Sequence, residues 1–215
     1  MKSKKSKKKL ALASAIIAVA VFAAGATLAW LTDTTQTVVN TFTVGNVDID
    51  LTETWNTDSN DDGENDCWTA KMIPGTTVTK DPVVTVEGGS EACWLFVKVK
   101  KDGGVVTVGE EQMSFDNFMS YAIITGEDGW RLLESTDDGD VYYREVAASN
   151  GEQNFHVLVD DEVSINTTVT KAMLDALTES LKISDDNQPT LSFTAYAVQM
   201  SGFEDNAAGA WNEVK

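Results

Sequence analysis

The sequence predicts an all-β fold, an antiparallel β-sandwich with one or two short helices behind an N-terminal signal helix. Three observations carry that reading: β-branched residues dominate, apolar and polar residues alternate in short stretches, and turn residues recur at short intervals.

The opening residues hold six lysines, Lys2, Lys4, Lys5, Lys7, Lys8 and Lys9, and an uncharged apolar run extends from Leu10 to Leu31. Positive charge stays on the cytoplasmic side while the apolar stretch enters the bilayer, so this order reads as an export signal, not a domain. The run also reaches the roughly 20 residues that a membrane span needs, which makes an uncleaved anchor the competing reading. Thr27 and Ala29 supply the two small residues that a signal peptidase reads, placing cleavage between Ala29 and Trp30. The signal peptide is then 1–29, the membrane is met only in transit, and the product is extracellular.

Removing the signal leaves 186 of the 215 residues, enough for one domain with a substantial core. Six of the 16 basic residues leave with it, so ten remain against 34 acidic ones, a net charge of −24. Such a surface repels nucleic acid and anionic lipid. Cys67 and Cys93 both lie in the exported part, where an oxidising exterior permits a disulfide; two buried thiols are the alternative.

Val47, Ile49 and Leu51 alternate with Asp48, Asp50 and Thr52, as expected of a strand with one wet face. Further strands are expected over Thr76–Val86, Cys93–Lys100, Val141–Glu145, Asn154–Val159 and Leu191–Met200. The stretches 94–99 and 191–198 are apolar on both faces and read as central strands whose aromatic side chains fill the space between two sheets. One helix is expected over Lys171–Lys182, capped by Thr170, with Met173, Leu174, Leu177 and Leu181 on one stripe. Phe115, Phe118 and Met119 suggest a shorter helical turn.

The chemistry on offer is sparse. The single histidine, His156, stands between Phe155 and Val157 in an expected strand and reads as a structural residue. The sequence holds no His-Glu-x-x-His pattern for zinc and no Gly-x-Ser-x-Gly elbow, so no catalytic residue is assigned and no cofactor is required. The stretch from Asp58 to Asp66 places oxygen side chains of Asp58, Asn60, Asp62, Glu64 and Asp66 at alternate positions, with Gly63 at the sixth. That spacing suits a hard cation such as calcium, although Thr69 stands at the twelfth position where an EF-hand has glutamate; a solvated acidic turn is the plainer reading.

Gly25-Ala-Thr-Leu-Ala-Trp-Leu-Thr-Asp33 and Asn40-Thr-Phe-Thr-Val-Gly-Asn-Val-Asp-Ile-Asp-Leu51, with Pro74-Gly-Thr-Thr-Val-Thr-Lys-Asp81 and the closing Leu191-Ser-Phe-Thr-Ala-Tyr-Ala-Val-Gln199, resemble the TasA/camelysin family of bacterial exported proteins. Region 102–160 carries no matching landmark. The resemblance implies a jelly-roll sandwich, processing by a SipW-type signal peptidase, and assembly into extracellular biofilm matrix fibres on Gram-positive bacteria. It also implies strand donation, in which the leading segment of one subunit completes a sheet of the next, with an accessory matrix protein as a further partner. The candidate donor is 30–44, ahead of a sandwich domain at 45–215: Thr34–Val44 has no charge and no proline, and Thr37, Val38, Val39, Phe42 and Val44 suit an added strand. The same residues could equally form a first strand of their own domain. A calcium-dependent surface adhesin is the alternative function. The peptidase label of the camelysin branch is a third, opposed by the single histidine.

Overall fold

The computed structural model describes residues 46–54 and 71–215, all within one unit, Val44–Lys215. Twelve strands are described: β1 Ile49–Thr52, β2 Thr77–Thr79, β3 Val83–Val86, β4 Cys93–Asp102, β5 Val106–Val108, β6 Glu111–Met113, β7 Met119–Ser120, β8 Arg131–Thr136, β9 Gly139–Val146, β10 Gln153–His156, β11 Glu162–Ile165 and β12 Thr190–Gln199. Three helices accompany them: α1 Phe115–Phe118, α2 Lys171–Leu181 and α3 Ala207–Asn212.

The main body is a sandwich. A three-stranded sheet ordered β1-β3-β10 faces a four-stranded sheet ordered β12-β4-β9-β8, and every pairing between these strands is antiparallel. Strand alternation explains the packing, since successive side chains leave β4 on opposite faces. Cys93, Leu95, Val97 and Val99 turn inward to meet Val84, Val86, Trp130, Val146 and Val157. Trp94 and Phe96 turn outward and are covered in their turn by Ala207, Ala210 and Trp211 of α3. Lys98 and Lys100 continue that outer face, where Lys98 pairs with Asp138 and Lys100 with Asp102 and Asp138.

A second, smaller core sits beside the sandwich. The sheet β2-β11-β7, the β5-β6 hairpin and α2 enclose Val106, Met113, Phe118, Ile165, Val169, Met173 and Leu177. The apolar stripe expected on α2 is what faces this core, and the expected cap is formed: Oγ1 of Thr170 accepts from the Met173 N–H at 3.3 Å. Asn187 ties this core to the end of β4. Its side chain pairs with both the N–H and the carbonyl of Val105 at 2.9 Å and donates to Oγ of Ser180 at 2.7 Å. Gly103 is required there, because its φ is +68° and a Cβ would stand 2.1 Å from the Gln188 carbonyl oxygen.

Several expected elements are corrected. The stretch Thr76–Val86 is two strands in two different sheets, because Pro82 has no N–H for a ladder and the chain changes sheets at Lys80-Asp81-Pro82. Strand β10 stops at His156; beyond it the chain tightens into a turn at Val159–Asp161, where Asp160 and Asp161 have φ of 56° and 53°. A third helix, α3, lies outside the expected elements.

Candidate functional site: the edge of the four-stranded sheet

β12 runs for ten residues, Thr-Leu-Ser-Phe-Thr-Ala-Tyr-Ala-Val-Gln, without charge, proline or glycine. It pairs with β4 residue for residue from Thr190 opposite Asp102 to Gln199 opposite Cys93, with no bulge. At about 3.4 Å per residue that is an edge of about 34 Å. The sequence pattern places this strand centrally, yet among the described residues it ends its sheet, with no strand on its other side. Its two apolar faces have separate causes. Leu191, Phe193, Ala195 and Ala197 face the sandwich core, whereas Tyr196 and Val198 pack under α3 and Phe203.

A long, regular, neutral edge is unusual, since sheet edges are ordinarily blunted by shortness, charge or bulges. The other edges of the sandwich follow that rule. β8 carries Arg131 and Glu134 and breaks register between Leu132 and Glu134; β1 is four residues long and includes Asp50; β10 is four residues long. Only β12 lacks each of these devices among the described edges of the two sandwich sheets.

The seam between β1 and β12 is apolar. Ile49 and Leu51 from β1 and Phe193 from β12 meet the same core, partly exposed. One end of this seam is closed by Lys80, whose Nζ lies 2.8 and 2.7 Å from the two carboxylate oxygens of Glu53 and 5.4 Å from the Phe193 ring centroid. Thr54 is latched alongside, its N–H donating to Asp81 Oδ1 at 3.0 Å and its hydroxyl to the same carboxylate.

The entry of the chain into the domain is also fixed. The Asn46 carbonyl accepts from the Glu91 N–H at 3.0 Å, and one residue on, the Ala92 carbonyl accepts from the Met200 N–H at 2.7 Å, directly after β12 ends. Asn46 therefore lies beside the C-terminal end of β12.

Of the residues singled out from sequence, Cys93 lies at the inner face of β4 with no exposure, and burial pushes its thiol up to about 11. Its candidate partner Cys67 lies outside the described residues, as do the candidate calcium ligands Asp58, Asn60, Asp62, Glu64 and Asp66, the cleavage pair Ala29 and Trp30, and the donor residues Thr37, Val38, Val39, Phe42 and Val44. His156 is half-exposed, with Nδ1 3.0 Å from Oδ1 of Asp161. Among the described residues, no group of three or more His, Cys, Asp and Glu side chains is arranged to hold a metal. Sequence reasoning overlooked the edge itself. Its signal was legible: an uncharged ten-residue run close to the chain end, followed by a short segment able to cover one of its faces.

No protein-family model matches this chain, and neither the curated proteins nor the solved structures compared with it contain a match.

Proposed function

We propose that this chain is a structural subunit of extracellular fibres, of the biofilm matrix kind, exported by a Gram-positive bacterium and assembled by strand donation between copies. The single observation that carries the proposal is the long neutral edge of β12, which among the described residues has no strand beyond it. An extended segment adds to such an edge through main-chain hydrogen bonds, and Thr34–Val44 is neutral and β-prone enough to do so without bringing charge against an acidic surface.

Chain geometry supports a donor from another copy. Residue 46 is anchored beside the C-terminal end of β12, so a subunit's own leading segment could run along the full edge only parallel to it. An antiparallel arrangement within one subunit would leave residues 45 and 46 to cross back about 34 Å, whereas each residue spans at most about 3.6 Å. The strand pairs of the sandwich are all antiparallel, and parallel pairing is slightly weaker per residue. A segment from a second copy is free of that constraint.

The test is electron microscopy of purified 30–215 beside a chain that starts at Gly45. Fibres from the first and none from the second are expected. Polymers from both would sink the reading, and a monomeric chain whose melting temperature rises with calcium would favour the adhesin alternative.

A further inference from the structure

The opposite side of the sandwich, where β8 and β10 form the edges, is closed by an arginine. Arg144 lies on β9 opposite Leu95 and shares the inward face of that strand with Tyr142 and Val146. Its guanidinium carbon stands 4.0 Å from the Phe155 ring centroid on β10 and 5.6 Å from the ring centroid of Trp130, just ahead of β8. The stack therefore spans from one sheet to the other.

Two features set this arginine apart. Its Nε is buried without a hydrogen-bond partner, and among the described residues it forms no ion pair, in a chain with 34 acidic residues. Burial holds the guanidinium below the usual arginine value, with Asp128 acting in the opposite sense. A part-buried inward charge held by ring faces and not by an ion pair is costly to keep. Trp130 adds a second block: its indole N–H donates to the His156 carbonyl at 2.9 Å, taking up a main-chain acceptor at the end of β10.

Arg144 is on β9, one strand in from the β8 edge, and its cation reaches across to β10, so a strand added on this side would bury the charge further, the cost by which inward-pointing charges keep sheet edges from pairing. We propose that Arg144, stacked between Phe155 and Trp130, keeps the β8–β10 side shut to added strands, so that each subunit offers one acceptor edge and polymers grow unbranched. The inference rests on the strand-donation reading but makes a separate claim about specificity.

The experiment compares the exported chain with its Arg144→Met and Arg144→Lys variants by thermal melting, light scattering and electron microscopy. Arg144→Met is expected to melt at or above the parent temperature and to gain an association that the parent lacks, seen as branched or laterally fused polymers. Arg144→Lys keeps the charge and should associate as the parent does. The inference is overturned if Arg144→Met melts more than about 5 °C lower, which would mark the arginine as a structural strut. It is equally overturned if Arg144→Met associates like the parent, or if Arg144→Lys gains the same new association. A parent that forms no polymer would remove the strand-donation reading, while the Arg144 inference would still be decided by whether the methionine variant associates where the parent does not.

Discussion

The indole N–H of Trp211 donates to Oε1 of Glu134 over 2.6 Å, tying the last helix of the chain to strand β8 on the far side of the four-stranded sheet. The same ring lies 5.3 Å from Phe96 and edge-on to Tyr196 at 5.1 Å, so one side chain from α3 touches β4, β8 and β12 together. Trp94 adds a second tie, donating to the Phe203 carbonyl at 2.8 Å. Trp211→Ala should cost about 3–5 kcal/mol in urea denaturation, the usual range for removing a buried aromatic. A loss under 1 kcal/mol would mean that α3 is a loose appendage.

The Lys80–Glu53 pair is mostly shielded, with 17% and 11% of the side chains exposed. Lys80→Met leaves a shielded carboxylate without its cation, and the loss should be about 2 kcal/mol, below the 3–5 kcal/mol of a fully buried pair because water still reaches part of it. Adding Glu53→Leu should recover most of that loss. Chemical denaturation of the single and double variants checks both steps; a double variant as weak as the single one would exclude the ion-pair explanation.

Alkaline pH should weaken the fold through Cys93 under reducing conditions. The buried thiol ionises only near 11, against 9.0 for an ordinary one, so the stability it contributes is fully present below pH 9 and is lost as pH rises through 11. Two units correspond to about 3 kcal/mol at most. Burial moves the Tyr121 and Tyr142 hydroxyls in the same direction. Cys93→Ala should flatten the pH profile between 9 and 10, below the ordinary tyrosine value of 10.0 at which the hydroxyls begin to act; a variant with an unchanged slope there would rule out the thiol.

Thr194 is exposed on the outer face of β12, opposite Lys98. Thr194→Glu places a charge on the acceptor edge beside a lysine, so fold stability should stay within about 0.5 kcal/mol of the parent while polymer yield falls. Sedimentation of polymer after a fixed time, with a parallel melt, reads both. Unchanged yield would move the acceptor elsewhere.

Polymer yield of the 30–215 chain should rise with salt or divalent cations, since its ten basic against 34 acidic residues make copies repel one another and screening acts over about 10 Å at 0.1 M. Titrating sodium chloride against light scattering measures it; indifference to ionic strength would contradict the charge argument.

The strands β4 and β12 and the helix α2 were legible in the sequence because each carries a long, regular pattern with a clear stop or cap, down to Thr170 at the start of α2. The β5-β6 hairpin and strand β8 were not, although β9, the partner of β8, was expected. Glu111 in β6 and Arg131 and Glu134 in β8 interrupt the alternation. The break at Lys80-Asp81-Pro82 had a legible signal in Pro82, but the β-rich residues on either side concealed it. Cys93 was legible as either a disulfide partner or a buried thiol, and its burial was settled only by the packing of β4.

By itself the sequence determined the fold class, the acidity of the chain, and the neutral run that became β12, because composition and period-two patterning are local properties. Only tertiary structure decided which strand ends a sheet, and which inward position holds Arg144 against Trp130 and Phe155. The physical reason is that an edge is defined by the partner a strand lacks. A residue's chemistry in the core is set by neighbours distant in the chain, and neither is written in the order of residues around it.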